Sequence, residues 1–272
     1  MEVRQAIAEA ARLLVAVSDT PRLDAELLMA HALGVERDQL LLRRLDDETP
    51  ESFAALLARR ESGEPIAYIA GRRAFWTIEL EVGPGVLVPR PDTETLIEAA
   101  VDHFGAAGPK RILDLGTGPG TLLLAALDQW PEASGLGIEA TAAALEFATR
   151  NAERLGIAGR AEFRLGNWGE AVDESFPLIL CNPPYVEAGA NLPRDVREWE
   201  PAEALFAGPD GLDEYRRLAP QIPGLLAAEG VACIEIGAGQ EIAAGRLFEE
   251  QGLDVAVRRD LAGIARCLVL TH

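Results

Sequence analysis

The side chains best suited to chemistry lie in the tetrapeptide Asn182-Pro183-Pro184-Tyr185, which follows the apolar run Leu178–Cys181. The run predicts a buried strand, and the two prolines stiffen the loop and leave carbonyl oxygens without neighbouring N–H donors. The Asn182 side-chain oxygen and the Pro183 carbonyl can hold both N–H groups of one planar NH₂ group. The Tyr185 ring can lie over the plane of that group or near a positively charged sulfonium.

Such a loop predicts chemistry on a poorly nucleophilic nitrogen, because the lone pair of an amide or a ring amine is delocalised. Two fixed acceptors hold the nitrogen so that its lone pair faces a methyl group in line with a departing sulfur. The contribution is mainly positioning and preorganised electrostatics. A strong general base is not required, since the methylated nitrogen becomes acidic. The alternative is a proline-rich turn that merely ends a strand.

A glycine-rich turn, Asp114-Leu115-Gly116-Thr117-Gly118-Pro119-Gly120, ends the first predicted strand of the larger domain and precedes a helix. Its glycines let a ligand approach the backbone closely, and the helix N-terminus offers free N–H donors. Dinucleotide-binding folds use a similar turn for pyrophosphate. Here the spacing is G-x-G-x-G rather than G-x-G-x-x-G, and an acid precedes it. The pattern favours S-adenosylmethionine over NAD.

Glu139 ends the second predicted strand of this domain, where its carboxylate can accept hydrogen bonds from both ribose hydroxyls of a nucleoside. An acid at this place fits the adenosine of NAD or of S-adenosylmethionine, and the alternative is a cap of the next helix. The tetrapeptide decides between the two cofactors, because an oxidoreductase has no use for it. The residues therefore predict an S-adenosylmethionine-dependent methyltransferase that acts on a planar nitrogen.

The chain from Arg111 onward alternates strand and helix patterns, which is typical of a mainly parallel sheet with helices on both faces. The short connection 259–264 between the last two strands predicts an antiparallel pair at the edge. We therefore expect an α/β, Rossmann-like sheet of seven strands with an antiparallel edge strand. The predicted strands are Arg111–Leu115, Gly135–Ile138, Ala161–Leu165, Leu178–Cys181, Val231–Ile236, Asp254–Arg258 and Ala265–Leu270.

The first seventy or so residues contain only helical patterns and nothing with catalytic spacing. A period-2 run at Phe75–Val82, the turn Gly83-Pro84-Gly85 and Val86–Val88 then predict a β-hairpin. We expect a helical bundle at 1–74, a hairpin connector at 75–90 and a catalytic domain at 91–272. The predicted helices are Glu2–Val17, a helix capped at Ser18–Pro21 that ends at Gly34, Glu36–Leu42, Pro50–Ser62, Glu94–Phe104, Thr141–Leu155 and Glu241–Gln251.

Composition limits the partners. The 272 residues carry a formal net charge of −19, from 25 basic and 44 acidic side chains, whereas a protein that grips nucleic acid needs clustered Lys and Arg. No apolar segment approaches the roughly 20 residues of a membrane span. The three cysteines lack C-x-x-C spacing and are interpreted as reduced core thiols of a cytoplasmic protein. We expect no metal site, no direct nucleic-acid contact and no membrane contact.

With these residues in place, the chain resembles the HemK/PrmC family of protein-(glutamine-N5) methyltransferases, which modify the Gly-Gly-Gln loop of peptide-chain release factors and so modulate translation termination. The resemblance covers nearly the whole chain. Its most specific part precedes the Asp114–Gly120 turn, since Asn-Pro-Pro-Tyr alone also occurs in adenine- and cytosine-amino DNA methyltransferases. The matching motifs are Gly63–Gly71, Phe75-Trp76, Val88–Glu94, Val196-Arg197, Glu200-Pro201, Ala204-Leu205, Gly211-Leu212 and Ile234–Gly237 with Gln240.

The resemblance implies that S-adenosyl-L-methionine is the cofactor, that S-adenosyl-L-homocysteine is the product, and that a release factor is the protein partner. It assigns cofactor contacts to Gly116, Thr117, Gly118, Pro119, Gly120, Glu139, Trp168 and Asn182, and substrate contacts to Asn182, Pro183, Pro184 and Tyr185. Two residues depart from the family pattern. Glu139 replaces the more frequent aspartate, and Pro119 removes one N–H donor from the turn.

Several alternatives stay open from the sequence. Trp168 packs beside the adenine or is a plain core tryptophan. The segment Arg90–Glu94 shapes the substrate pocket, or Asp92 and Thr93 only cap the following helix. A nucleic-acid amino methyltransferase and a non-catalytic scaffold are the competing functions. Because many proteins display a glutamine, specificity must come from remote contacts, for which residues 1–74 are the candidate.

Overall fold

The computed structural model describes all 272 residues, which form two compact units. The smaller unit contains Met1–Arg72 and a later segment, Asn191–Glu200, and the larger contains Arg73–Ala190 and Pro201–His272. The helices are α1 (Val3–Leu13), α2 (Pro21–Leu33), α3 (Arg37–Arg43), α4 (Ser52–Glu61), α5 (Ile66–Ala70), α6 (Glu94–Phe104), α7 (Thr121–Gln129), α8 (Ala142–Arg154), α9 (Arg194–Trp199), α10 (Asp213–Leu218), α11 (Ile222–Leu225) and α12 (Glu241–Glu249). The strands are β1 (Arg72–Phe75), β2 (Ile78–Glu81), β3 (Arg111–Leu115), β4 (Ser134–Glu139), β5 (Ala161–Leu165), β6 (Phe176–Cys181), β7 (Leu226–Glu235), β8 (Asp254–Arg259) and β9 (Ala265–Thr271).

The smaller unit is helical, as the sequence patterns predict. Helix α1 buries Val3, Ile7 and Ala10, which share one face because they are three or four residues apart. Helix α2 begins with Pro21 at its first turn and ends at Gly34, whose φ of 65° is the left-handed conformation that glycine adopts without strain. The buried faces of α1 and α2 pack with Leu40 of α3 and Phe53 of α4 into one apolar core.

A buried arginine organises the polar part of this unit. The Arg60 guanidinium donates to Asp24 at 2.7 Å and to the carbonyl oxygens of Val17 and Glu64, and both members of the ion pair are buried. A further contact at 3.4 Å reaches Asp195 of the segment Asn191–Glu200. A segment distant in sequence therefore completes the environment of a charge within the helical unit, which no local pattern predicts.

The larger unit contains a seven-stranded sheet in the order β5-β4-β3-β6-β7-β9-β8. The pairs from β5 to β7 are parallel, and β9 runs antiparallel to both β7 and β8. The predicted fold class and strand positions are confirmed. The antiparallel strand β9 lies one position inside the edge, and β8 is the edge strand. Helices flank the sheet, and Cys181, Cys233 and Cys267 lie buried in its strands as free thiols.

The predicted β-hairpin was misplaced. Its turn lies at Trp76-Thr77 rather than at Gly83–Gly85, and Val86–Val88 is not a strand. Trp76 adopts a φ of 53°, which is unusual for a residue other than glycine. Tertiary hydrogen bonds support it: the Trp76 N–H donates to Glu94 at 2.8 Å and its indole donates to Gln129 at 3.1 Å. Val86 and Val88 are apolar because they are buried, not because they belong to a strand.

The strand register sets the position of the functional loops. Leu115 at the end of β3 pairs with Ile138 of β4 and with Cys181 of β6, and Cys181 pairs with Ile234 of β7. The four residues that follow these partners therefore lie at one level, at the carboxyl ends of their strands. They are Gly116, Glu139, Asn182 and Glu235. No helix in the chain is both long and apolar enough to span a lipid bilayer.

We expect Arg60→Met to lower the free energy of unfolding by about 3–5 kcal/mol, because it leaves the Asp24 carboxylate buried without its partner. Urea denaturation of the full chain followed by circular dichroism measures this change. Arg4→Met provides the matched control, since it breaks the exposed Arg4–Asp46 ion pair and should leave the unfolding midpoint nearly unchanged. If the two substitutions lower the free energy of unfolding equally, the buried Arg60–Asp24 ion pair does not have this stabilising role.

Candidate active site

A cavity of about 430 Å³ lies where β3, β4 and β6 end in the larger unit. This volume is within the range of small-molecule sites, and the carboxyl ends of parallel strands are where open α/β sheets bind ligands. Most of the predicted site residues line it, namely Gly116, Thr117, Gly118, Pro119, Glu139, Trp168, Asn182 and Pro184. Gly120, Pro183 and Tyr185 are not among the lining residues.

The glycine turn has the backbone that its sequence requires. Gly116, Gly118 and Gly120 have φ values of 73°, 56° and 88°, where an L side chain is strained. A Cβ atom on Gly116 would lie 2.9 Å from the Trp168 ring, and one on Gly120 would lie 2.7 Å from Leu124. Glycine is therefore required twice, by the backbone conformation and by the close approach of neighbouring side chains.

Asp114 stabilises the glycine turn through hydrogen bonds. One carboxylate oxygen, Oδ2, accepts from the Thr117 hydroxyl at 2.6 Å and from the Leu123 N–H in the first turn of α7 at 3.1 Å. The other oxygen, Oδ1, is buried without a hydrogen-bond partner, and the residue lines the cavity. Burial raises the pKa of Asp114 to about 7, and the negative charge of Glu139 adds to the increase. A buried carboxylate beside the cavity makes the local potential more negative when it is ionised, which favours a cationic ligand.

Glu139 connects the two loops beside the cavity. Its Oε2 accepts from the Gly118 N–H at 2.9 Å, and its Oε1 accepts from the Thr141 N–H at 2.9 Å and from the Thr141 hydroxyl at 3.2 Å. Each carboxylate oxygen can accept more than one hydrogen bond, so ribose contacts remain available. The helix-capping alternative describes part of its role, because Thr141 is the N-cap residue of α8.

Trp168 forms another wall of the cavity and is only partly buried, which disfavours a plain core role. Its φ of 52° is an outlier for a tryptophan. The indole N–H donates to Glu214 at 2.8 Å, and Glu214 is also paired with Arg217. Since Glu214 and Arg217 line the cavity too, a polar group on α10 holds the ring in place.

The Asn182 side chain is held by Thr93, a residue of the segment Arg90–Glu94. The Asn182 Nδ2 donates to the Thr93 Oγ1 at 3.2 Å, and Thr93 makes no side-chain capping bond to α6. Arg90 and Thr93 line the cavity, while Asp92 forms an ion pair with Arg266. The pocket-shaping interpretation of this segment is therefore favoured over helix capping.

Tyr185 is held by two hydrogen bonds and is not among the residues that line the cavity. Its hydroxyl donates to Glu235 Oε1 at 3.1 Å, and burial together with the Glu235 charge raises its pKa. Its backbone carbonyl accepts from the Gln240 side chain at 3.0 Å. That the Tyr185 ring covers the substrate, and that the Pro183 carbonyl binds it, remain predictions.

Sequence reasoning did not predict the hydrogen-bond partners of Thr93, Asp114, Glu235 or Gln240. Asp114 and Glu235 each carry a charge inside an apolar strand, and both are almost fully buried. A buried acid without a partner costs free energy. The presence of an acid within an apolar run was therefore the feature of the sequence that could have identified these two residues. Thr93 and Gln240 stood in motifs of the family resemblance, but nothing local indicated what they contact.

The cavity fits S-adenosylmethionine. Its lining includes four carboxylates (Asp114, Glu139, Glu203 and Glu214) and two guanidinium groups (Arg90 and Arg217), so acidic groups predominate. The cofactor carries an ammonium, a sulfonium and a carboxylate, and a net positive ligand suits this balance. The glycine turn, which has no Cβ atoms at Gly116, Gly118 and Gly120, lets the ligand approach the backbone closely.

Comparison with known proteins agrees with this site. The PrmC N-terminal domain family matches residues 5–71, and a methyltransferase domain family matches residues 108–219. The release factor glutamine methyltransferase of Rhodospirillum rubrum is 45% identical over 95% of this chain and 81% of its own length. That of Cereibacter sphaeroides is 43% identical over 93% of this chain and 91% of its own length. A methyltransferase structure from Pyrococcus furiosus shares the fold, with a TM-score of 0.53 at 17% identity over 80% of this chain and 96% of that chain.

The fold and the cavity define a Rossmann-like, S-adenosylmethionine-dependent methyltransferase. Within that class, the chain belongs to the family of release factor glutamine methyltransferases, because relatives of that name match it at more than 40% identity over nearly its whole length. The predicted family, enzyme class and cofactor are thereby confirmed. The roles of individual site residues stay predictions.

We expect Glu139→Ala to weaken binding of S-adenosylhomocysteine by about 10- to 100-fold, because it removes charge-assisted hydrogen bonds to the ribose. Isothermal titration calorimetry measures the dissociation constant. Glu146→Ala, an exposed acid on α8, is the matched control and should bind as the unmodified protein does. NAD should not bind to either protein. Unchanged affinity in Glu139→Ala would exclude the ribose contact.

Proposed function

We propose that the enzyme transfers a methyl group to the side-chain amide nitrogen N5 of the glutamine in the Gly-Gly-Gln loop of peptide-chain release factors, and so modulates translation termination. The observation that carries this proposal is the position of Asn182, which lines the same cavity as the glycine turn and is held there through its Nδ2 atom. With Nδ2 turned to Thr93, the amide oxygen Oδ1 is free to accept a hydrogen bond from an NH₂ group.

The protein's own part in the reaction is positioning. Asn182 Oδ1 and the Pro183 carbonyl accept the two N–H groups of the glutamine amide, and Pro184 and Tyr185 confine its plane. S-adenosylmethionine, when bound, supplies an electrophilic methyl group on a sulfonium. Gly116–Gly120 and Glu139 would hold the nucleoside part, and Trp168 would lie beside the adenine. A fixed geometry of this kind lowers the barrier because the reacting atoms meet without further ordering.

A nucleic-acid amino methyltransferase shares the tetrapeptide, but no observation on this chain favours it. The net charge of −19 opposes binding to a phosphate backbone. The family relatives named above act on release factors. We propose that no nucleic acid is contacted directly, and that the enzyme works in the cytoplasm, where its buried free thiols remain reduced.

The helical unit is the proposed recognition element for the body of the release factor. A glutamine side chain is too small to select one protein, so binding energy from remote contacts must position it. The helical unit exposes apolar side chains that its own core does not use, among them Val15 at 66% and Leu42 at 80% exposure. Exposed apolar groups on a surface are candidates for a protein interface.

Asn182→Ala should reduce kcat by about 10²- to 10³-fold while the affinity for S-adenosylhomocysteine changes little, because the substitution removes one preorganised polar contact to the acceptor. Mass spectrometry of a release factor after incubation with the cofactor measures the gain of one methyl group on its glutamine. Normal methylation by this variant would remove Asn182 from the mechanism. Methyl transfer to DNA or RNA instead would refute the proposed substrate.

Val15→Asp and Leu42→Asp should each raise KM for an intact release factor and leave methylation of a short Gly-Gly-Gln peptide unchanged, because a charge on the docking surface opposes burial. The two substrates are compared by steady-state kinetics on the full chain. Leu261→Asp, at a fully exposed position of the larger unit, is the matched control. If all three variants treat the intact factor as the unmodified enzyme does, the helical unit does not dock it through these residues.

A further inference from the structure

Glu235 is a buried acid that the reaction as described does not use. It is the last residue of β7, and only 1% of it is exposed. Since Cys181 of β6 pairs with Ile234 of β7, the residues after them, Asn182 and Glu235, lie side by side at the end of the sheet. An acid at this buried position costs free energy, because its charged form loses its hydration.

Hydrogen bonds connect Glu235 to the catalytic loop by two routes. The Tyr185 hydroxyl donates to Glu235 Oε1 at 3.1 Å. The Thr93 hydroxyl lies close enough to the same carboxylate to lower its pKa, and Thr93 Oγ1 accepts from Asn182 Nδ2 at 3.2 Å. One buried carboxylate thus contacts Tyr185 directly and Asn182 through a single hydroxyl.

The direction of these hydrogen bonds determines which way the Asn182 amide faces. An ionised carboxylate only accepts, so the single hydrogen of the Thr93 hydroxyl is directed to Glu235. The Thr93 oxygen can then only accept from Asn182, and the Asn182 NH₂ group must face it. The opposite amide orientation would place the Asn182 oxygen against an oxygen that has no hydrogen left to donate.

We propose that Glu235 is a positioning residue that, through Thr93, holds the Asn182 amide with its oxygen toward the acceptor nitrogen. This inference rests on the proposed function of Asn182 as the amide acceptor. A purely structural role is disfavoured by the contacts of the neighbouring chain. Tyr215 bonds the backbone carbonyl of Glu235 at 2.9 Å, so the end of β7 is secured without the side chain. Moreover, the Oε2 atom has no hydrogen-bond partner, which adds to the cost of keeping an acid here.

The proposal has a pH signature. Burial raises the pKa of Glu235 to about 7, although the hydrogen bonds from Thr93 and Tyr185 and the charge of Arg266 on β9 oppose the increase. Asp92 on the loop before α6 adds to it. The hydroxyl and thiol groups that face Glu235 are those of Tyr215 on α10, Cys181 on β6 and Cys267 on β9. Below about pH 7 the carboxyl gains a proton and can donate as well as accept. The direction of the Thr93 hydrogen is then no longer fixed, and neither is the orientation of the Asn182 amide.

Three substitutions in the full chain test the positioning role. Thr93→Val should lower kcat by about 10- to 100-fold at saturating cofactor, because the amide loses its fixed orientation. Thr93→Ser restores the hydroxyl and should recover most of that loss, while Thr149→Val on the exposed face of α8 is the matched control. Glu235→Gln should lower kcat. The kcat of this variant should not decrease further below pH 7, as that of the unmodified enzyme does. All rates are measured at saturating cofactor. A weaker affinity for the cofactor when Asp114 is protonated then does not contribute to the decrease of kcat below pH 7.

Activity is measured by methylation of a Gly-Gly-Gln peptide, and cofactor affinity and thermal melting of each variant are measured alongside. The side-chain amide of Asn182, followed by NMR after selective ¹⁵N labelling, gives a second readout that needs no acceptor. Its signal should titrate near pH 7 in the unmodified enzyme but not in Glu235→Gln.

Normal kcat in Thr93→Val, or an unchanged pH limb in Glu235→Gln, overturns the positioning role. If Glu235→Gln does not fold, the Thr93→Val and Thr93→Ser pair decides alone. An unmodified enzyme that leaves the peptide unmethylated contradicts the proposed function instead, and the NMR titration then still decides the role of Glu235.

Discussion

The structure depends on the register of four parallel strands. Because β4, β3, β6 and β7 are paired so that Ile138, Leu115, Cys181 and Ile234 are aligned, the carboxyl ends of the four strands lie at one level. Those ends carry Glu139, the glycine turn, the loop Asn182–Tyr185 and the buried Glu235. A shift of one strand by a single residue would turn each of its side chains to the opposite face of the sheet and separate these groups. Backbone hydrogen bonds within the sheet thus set distances that flexible loops could not maintain.

Two buried carboxylates show how the site uses charge. Asp114 and Glu235 lie near the ends of β3 and β7, the apolar strands on either side of β6, and burial raises the pKa of both to about 7. Each orders a loop by accepting hydrogen bonds, Asp114 from the turn before α7 and Glu235 from the tetrapeptide side. Each also keeps one oxygen without a partner. Burying these acids costs free energy, but their hydrogen bonds hold the adjoining loops in a fixed conformation.

The helical unit follows a different principle. Its core is built from apolar faces at helical spacing, but its polar centre is the Arg60 guanidinium, which collects carbonyl oxygens and two carboxylates. One of these carboxylates belongs to the segment Asn191–Glu200, which follows the tetrapeptide in the chain. The chain therefore passes from the catalytic loop into the helical unit and returns to the cavity wall at Pro201 and Glu203.

Local patterns determined the elements of this protein. The seven sheet strands, the main helices and the ligand turn follow from apolar periodicity and from glycine and proline placement, which act over a few residues. The chemistry of Asn182-Pro183-Pro184-Tyr185 and of Glu139 also followed from residue type and from their positions at strand ends. The hairpin was misplaced because Trp76 adopts a left-handed backbone that only remote partners, Glu94 and Gln129, can stabilise.

Only the tertiary structure decided which groups support the site. Thr93 and Asn182 are 89 positions apart, and Tyr185 and Glu235 are 50 apart, so no spacing in the sequence connects either pair. The segment Asn191–Glu200 belongs to the helical unit through a contact of the same kind. Its Asp195 reaches Arg60, which is 135 positions earlier in the sequence. Periodicity encodes which face of an element is buried, whereas partners across the fold depend on strand order and register, which arise only when the whole sheet assembles.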